Sequence, residues 1–146
     1  MREARRSAIV PHSAERMFAL VADVASYPQF LPGCTRGEVL REEGSETTAS
    51  LSLSRGPLDA TFTTRNTLTP PRELRMELLD GPFRALHGQW TFTPLGDTGC
   101  RAELTVRFEF RNRAADLLMG AAFERLCNEI VDAFVRRAAA VYGTAA

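Results

Sequence analysis

Eleven residues, CRAELTVRFEF from Cys100 to Phe110, alternate without a fault. Ala102, Leu104, Val106, Phe108 and Phe110 share one face, and Arg101, Glu103, Thr105, Arg107 and Glu109 share the other, which is the pattern of a strand with one buried and one wet face. Directly after it, past FRNR, the apolar spacing changes to the helical period and holds to Val141. Asn112 stands where an N-cap belongs and Gly143 where a helix ends. The spacing therefore predicts a helix over 113–142, about 45 Å long at ~1.5 Å per residue. Its apolar stripe is Met119, Phe123, Leu126, Cys127, Ile130, Phe134 and Val141, with Arg125, Glu129, Asp132 and Arg136 toward solvent. A half-buried sheet and a one-sided helix both need a cover, and each can cover the other.

The rest of the chain supplies the sheet. Turn signals at EEGSE, SRGP, TPPRE, LDGPF and LGDTGC divide residues 37–110 into six strand-length runs. Parity places Leu51 and Leu53, then Leu58, Phe62 and Leu68, then Leu74, Met76 and Leu78, then Leu86, Trp90 and Phe92 on the buried side. A seventh, short run, Ser7 to Val10, stops at Pro11, and Ser13 caps a helix starting near Ala14 with Met17, Phe18, Val21 and Val24 as its inner face. A second short helix is expected over Tyr27–Phe30 with Ser26 as its cap and Pro28 in its first turn. The expected fold is α+β: a seven-stranded antiparallel curved sheet wrapped around a long C-terminal helix, with two short helices after the first strand. At 146 residues one domain spanning 1–146 is the default.

Charge narrows the partners. All 18 basic residues are arginines, and 18 acidic residues balance them, so the basic excess of a general nucleic-acid binder is missing and no DNA partner is expected. The three cysteines have no C-x-x-C spacing, which favours buried, reduced thiols over a disulfide framework or zinc site. No H-x-x-x-H, G-x-G-x-x-G or phosphate-loop motif occurs, and no metal site or catalytic set is expected. Of the two histidines, His12 reads as a solvated loop residue before a helix cap, and His87 faces away from Trp90 by parity. The N-terminus lacks an apolar signal core and no run reaches ~18 apolar residues; a cytoplasmic protein with at most peripheral membrane contact is expected.

The blocks RSAIVPHSAERMFALVADVASYPQFLPGC, FTTRNTL, DGPFRALHGQWTFTPL and CRAELTVRFEF resemble the ribosome association toxin RatA and coenzyme Q-binding protein family, within the START-like, helix-grip, polyketide cyclase/dehydrase superfamily. The resemblance runs from about Arg6 to Tyr142. It implies a helix-grip fold with a hydrophobic cavity between sheet and long helix. From the coenzyme Q-binding branch it implies non-enzymatic binding of ubiquinone or another isoprenoid lipid, a hydrophobic small-molecule partner rather than a required cofactor. From the RatA branch it implies the alternative, a translation regulator that binds the large ribosomal subunit and hinders subunit association. Cyclase or aromatase chemistry is a second alternative resting on the superfamily alone.

On the ligand reading, the expected cavity lining is Phe30, Leu31, Phe62, Thr64, Asn66, Met76, Trp90, Phe108, Met119, Phe123, Ile130 and Phe134. Thr64 and Asn66 stand out as polar residues with inward parity. Such an amide either satisfies backbone near a strand end or meets a ligand carbonyl or headgroup, and a one-residue bulge would turn both outward. The segment SYPQFLPGC, with two stiffening prolines beside Phe30 and Leu31, reads as an apolar lid at the cavity mouth. For a ribosomal contact the candidate arginines are Arg101, Arg107, Arg111 and Arg113, with Glu103 and Glu109 interleaved among them; Arg2, Arg5 and Arg6 form another group.

Overall fold

The computed structural model describes residues 1–143; residues 144–146, part of the expected single domain, lie outside the described residues. In chain order come β1 (Arg2–Val10), α1 (Ala14–Ala22), a 3₁₀ turn (Val24–Gln29), β2 (Cys34–Glu43), β3 (Glu46–Arg55), β4 (Leu58–Thr69), β5 (Glu73–Asp80), β6 (Phe83–Leu95), β7 (Gly99–Phe110) and α2 (Arg113–Tyr142). The strands form one antiparallel sheet in the order β1-β7-β6-β5-β4-β3-β2. Five hairpins join the six strands β2 to β7, and β1 pairs with the last of them. The α1 and 3₁₀ segment carries the chain across from one edge strand to the other.

The alternation in β7 is realised residue by residue: Ala102, Leu104, Val106, Phe108 and Phe110 are buried. α2 lies across this face, starting where the Asn112 side chain accepts from the Ala115 amide at 2.8 Å and ending at Gly143 with φ 86°. It buries Phe123, Leu126, Cys127, Val131, Phe134 and Ala138. Val141, expected inside, is 49% exposed; Tyr142 takes the inner position, its hydroxyl donating to the Arg16 carbonyl at 3.0 Å.

Three other local expectations are corrected. β1 begins at Arg2 rather than Ser7, because pairing from Arg2↔Phe108 to Val10↔Cys100 holds a polar stretch extended that local alternation does not mark. The 3₁₀ turn starts at Val24, and Ser26 is not its cap: the Ser26 hydroxyl donates back to Asp23 Oδ2 at 2.6 Å. His12 is buried, not solvated. The turn between β1 and α1 tucks beneath the end of α2, with the Tyr142 ring 5.7 Å away and His12 Nδ1 without a hydrogen-bond partner.

The 3₁₀ turn sits tightly on β2. A side chain at Gly37 would collide with the Val24 carbonyl, so the glycine is what lets the two backbones approach.

A candidate cavity between sheet and helix

An apolar cavity of about 90 Å³ lies between the sheet and α2. Of the expected lining, Leu31, Phe62, Thr64, Asn66, Met76, Trp90, Phe123, Ile130 and Phe134 border it. Phe30, Phe108 and Met119 do not. Phe108 is fully buried behind the cavity wall, its ring 4.6 Å from that of Phe123 and 6.3 Å from that of Phe83. Phe30 stacks edge-on against the outer side of Phe134 at 5.0 Å, and the Arg137 guanidinium covers it at 5.0 Å. Met119, one residue before Gly120, stays half-buried at the margin of the core. Of the two apolar residues of this segment, Leu31 is buried and borders the cavity, while Phe30 lies outside its wall.

Residues not expected as lining add to the wall, among them Val24, Tyr27 and Pro32 from the lid side, Ala49 and Gly88 from the sheet, and Leu126 and Cys127 from the helix. Ala49 and Gly88 carry a readable signal. Both sit at inward-facing strand positions, where a small side chain leaves volume unfilled. Gly88 lies opposite Met76 in the β5–β6 register, and the Met76 methyl occupies the space that a side chain at position 88 would need.

Thr64 and Asn66 are both buried. Thr64 Oγ1 donates to Asn66 Oδ1 at 2.7 Å, so the pair satisfies itself in part. Its inward aim survives a bulge in the adjoining register. Thr63 pairs with Asp80 but Thr64 with Leu78, so the extra residue is Leu79 in β5 and the parity of β4 is untouched. The Asn66 amide nitrogen has no protein acceptor among the described residues and is a donor available to an occupant.

Two titratable groups line the cavity, and both are held protonated. Burial raises Tyr27, with Cys34 and Asp23 adding to it, while its hydroxyl donates to the Val21 carbonyl. Burial likewise raises the Cys127 thiol, with Glu124 adding to it. Among the described residues no three His, Cys, Asp or Glu side chains converge as a metal site would require.

The candidate arginines do not form one surface. Arg101 and Arg107 lie six residues apart on the outer face of β7, about 20 Å at ~3.3 Å per residue. Arg107 is 3.6 Å from Glu3 and opposite His87, whose Nδ1 lies 2.5 Å from Glu77. Arg111 and Arg113 belong to the other end of the strand and the start of α2.

Residues 10–135 match the family described as "Polyketide cyclase / dehydrase and lipid transport". The chain belongs to this family. Within it, the ribosome association toxin RatA of Vibrio cholerae is 47% identical over 98% of this chain and 99% of its own length. RatA of Escherichia coli is 46% identical over 97% and 90%. The coenzyme Q-binding protein COQ10 homolog B of Xenopus laevis is 30% identical over 97% of this chain, and the match covers 59% of that protein. Among solved structures, the ZhuI aromatase/cyclase of Streptomyces sp. R1128 superposes with a TM-score of 0.84 over 99% of both chains at 21% identity, which establishes shared fold. The helix-grip architecture of the family is thus the architecture of this chain.

Proposed function

We propose that this chain is a ribosome-associating member of the family, of the RatA kind, acting without catalysis in the cytoplasm. The observation that carries the proposal is end-to-end identity of 46–47% to proteins named as ribosome association toxins, against 30% and partial coverage for the coenzyme Q-binding relative. The order of the two readings drawn from the sequence is therefore reversed. The test is cosedimentation with ribosomal subunits in sucrose gradients at low salt. Migration with the large subunit and a fall in the 70S peak are expected; absence from the large-subunit fraction would refute the proposal.

A second reading, binding of a hydrophobic ligand such as an isoprenoid quinone, is favoured by the apolar lining and by Asn66 as a donor to a ligand carbonyl. Its cost is visible in the dimensions. The cavity is small, about 90 Å³, and Leu31 and Pro32 stand on its lid side, so an occupant of quinone size would displace them. Native mass spectrometry of protein purified without detergent tests this reading, and finding no copurifying lipid would count against it. Cyclase chemistry gains nothing from Tyr27 and Cys127, since neither is poised as a base.

A further inference from the structure

The arginines of this chain differ in what holds them. Arg2, Arg5, Arg6, Arg55 and Arg75 each face a carboxylate, from Asp116, Glu103, Asp132, Glu129 and Glu73 respectively. Arg111 instead donates to the Gly81 carbonyl at 2.8 Å. Arg84 donates to the carbonyl of Arg111 at 3.4 Å, and its nearest carboxylate, Glu109, is 3.9 Å away. Arg113, the first residue of α2, has no carboxylate partner among the described residues. A guanidinium anchored on a neutral carbonyl keeps its full charge while its rotamer freedom is already reduced, so capturing an anion costs little further ordering.

These three residues share one end of the molecule, where the Arg111 amide also donates to the Pro82 carbonyl at 2.8 Å. Arg84 and Arg113 border a surface hollow of about 460 Å³ there, together with Arg2, Asn112, Glu109 and Asp116. Of the two carboxylates at the hollow, Asp116 is engaged by Arg2 through both its oxygens at 3.0 and 3.2 Å, and Glu109, 3.9 Å from Arg84, offsets part of that residue's charge while Arg111 and Arg113 face no carboxylate among the described residues. On the next turn of α2, Leu117 and Leu118 project into solvent at 75% and 62% exposure.

We infer that this hollow is the RNA-facing surface of the chain: Arg84, Arg111 and Arg113 hold successive backbone phosphates of a ribosomal RNA strand, and Leu117 and Leu118 lie against its unstacked bases. The inference rests on the ribosome-associating reading and names its contact. Guanidiniums match phosphate oxygens bidentately, and apolar side chains beside them suit bases splayed out of a loop. A concave hollow with Asn112 and Arg113 on its wall accepts a strand, and the three arginines stand exposed around it, within reach of a backbone laid across it.

Counterion release makes this measurable. Each phosphate contact contributes ~0.7 to 0.9 to the log–log salt slope, so three contacts make affinity between 50 and 200 mM salt fall about 20- to 40-fold more steeply. Large-subunit binding of the wild type, of R84Q/R111Q/R113Q and of R101Q is measured by cosedimentation across that range. The triple variant is expected to bind weakly with a slope shallower by about 2 to 3, and R101Q to match the wild type. R113Q alone, which loses no internal hydrogen bond, should lower the slope by just under one and guards against loss of fold in the triple variant. Wild-type binding with an unchanged slope in the variants overturns the surface and leaves the ribosomal reading standing; absence of wild-type binding removes both. Anionic vesicles, phosphatidylglycerol with phosphatidylcholine, form a separate arm. Vesicle binding abolished by L117S/L118S, with ribosome binding unaffected by any variant, would assign the patch to membrane and refute the inference.

Discussion

Truncation of Phe134 to alanine should cost about 4 to 5 kcal/mol of folding stability. The residue is 1% exposed, and its ring meets Tyr27 at 5.5 Å, Phe30 at 5.0 Å and Trp90 at 5.3 Å, all edge to face. It therefore ties the lid segment and the sheet to α2. Buried Phe to Ala changes cost ~3 to 5 kcal/mol, and two features place this site at the upper end. Three aromatic partners lose their geometry together. The void left behind also joins a cavity of about 90 Å³ that its own walls have not closed, so collapse cannot recover the loss. For a chain of this length ~1 kcal/mol moves Tm by roughly 2 to 4 °C, which makes the expected drop about 8 to 20 °C by calorimetry. F30A is the internal comparison. Phe30 is partly exposed and has its outer face under Arg137, so it should lose only about 1 to 2 kcal/mol. A loss below about 2 kcal/mol for F134A, or equal losses for the two variants, would refute Phe134 as the tie between lid and core.

The thiols and one ion pair supply further expectations. Burial pushes Cys100 up to about 11, with Glu15 adding to it, and raises Cys34 and Cys127 as well; iodoacetamide at pH 8 should label none of them in the folded protein and all three in denaturant, by mass spectrometry. Because the folded state keeps the Cys100 proton after the unfolded state has lost it, that stability is complete below about pH 9 and is lost between about 9 and about 11, which urea titrations across this range would register. Hydrogen bonds from Arg2 hold Asp116 below the usual carboxylate range, so its contribution is present above the unfolded value near ~3.9 and disappears as pH falls through the folded one. Both side chains are a third exposed, so D116N should cost less than ~1 kcal/mol at pH 7, with wild-type and variant urea midpoints converging at low pH. Y27F removes the donor to the Val21 carbonyl at the end of α1, where helical partners run out, and should cost about 1 to 2 kcal/mol in chemical denaturation.

The parts read correctly from the sequence are those in which one local signal suffices. Parity placed Phe62, Thr64, Asn66, Met76 and Trp90 on one face, and the Asn112 and Gly143 caps bounded α2. Misreadings fall where distant pairing decides the outcome. Arg2–Arg6 look like a polar tail until β7 is set beside them. His12 looks solvated until the end of α2 covers it. Phe30 and Leu31 are adjacent and equally apolar, yet only the contact with Phe134 and Arg137 determines which of them faces the cavity. Cavities pose a further difficulty, because they are made by what is small. Ala49 and Gly88 shape the space as much as the aromatics do, but a short side chain carries no hydrophobic signal to draw attention to it. The arginines are harder still: charge patterning offers Arg101, Arg107, Arg111 and Arg113 as equals, and what separates them is the Glu3 partner of Arg107, the Gly81 carbonyl under Arg111, and the places of Arg101 at one end of β7 and Arg113 beyond the other.

The length of α2 keeps the two surfaces of this chain energetically apart. Arg113 and Phe134 are 21 positions apart on one helix, about 31 Å at ~1.5 Å per residue, or roughly four Debye lengths at physiological salt. Removing charge at the hollow cannot alter the cavity by direct electrostatics, and their partners are not shared: Arg84, Gly81 and Arg111 at one end, Tyr27, Trp90 and Phe30 at the other. Stability losses in a combined R113Q/F134A variant should therefore add within ~0.5 kcal/mol. The same holds for large-subunit affinity if the cavity takes no part in binding: R113Q should weaken binding by the same factor in the wild type and in F134A. A larger departure in affinity, with stabilities still additive, would mean that the lid and the RNA-facing end respond to one another through α2, so that an occupant of the cavity could regulate ribosome contact. That outcome would join the ligand-binding and ribosomal readings in one mechanism, and additive affinities would separate them.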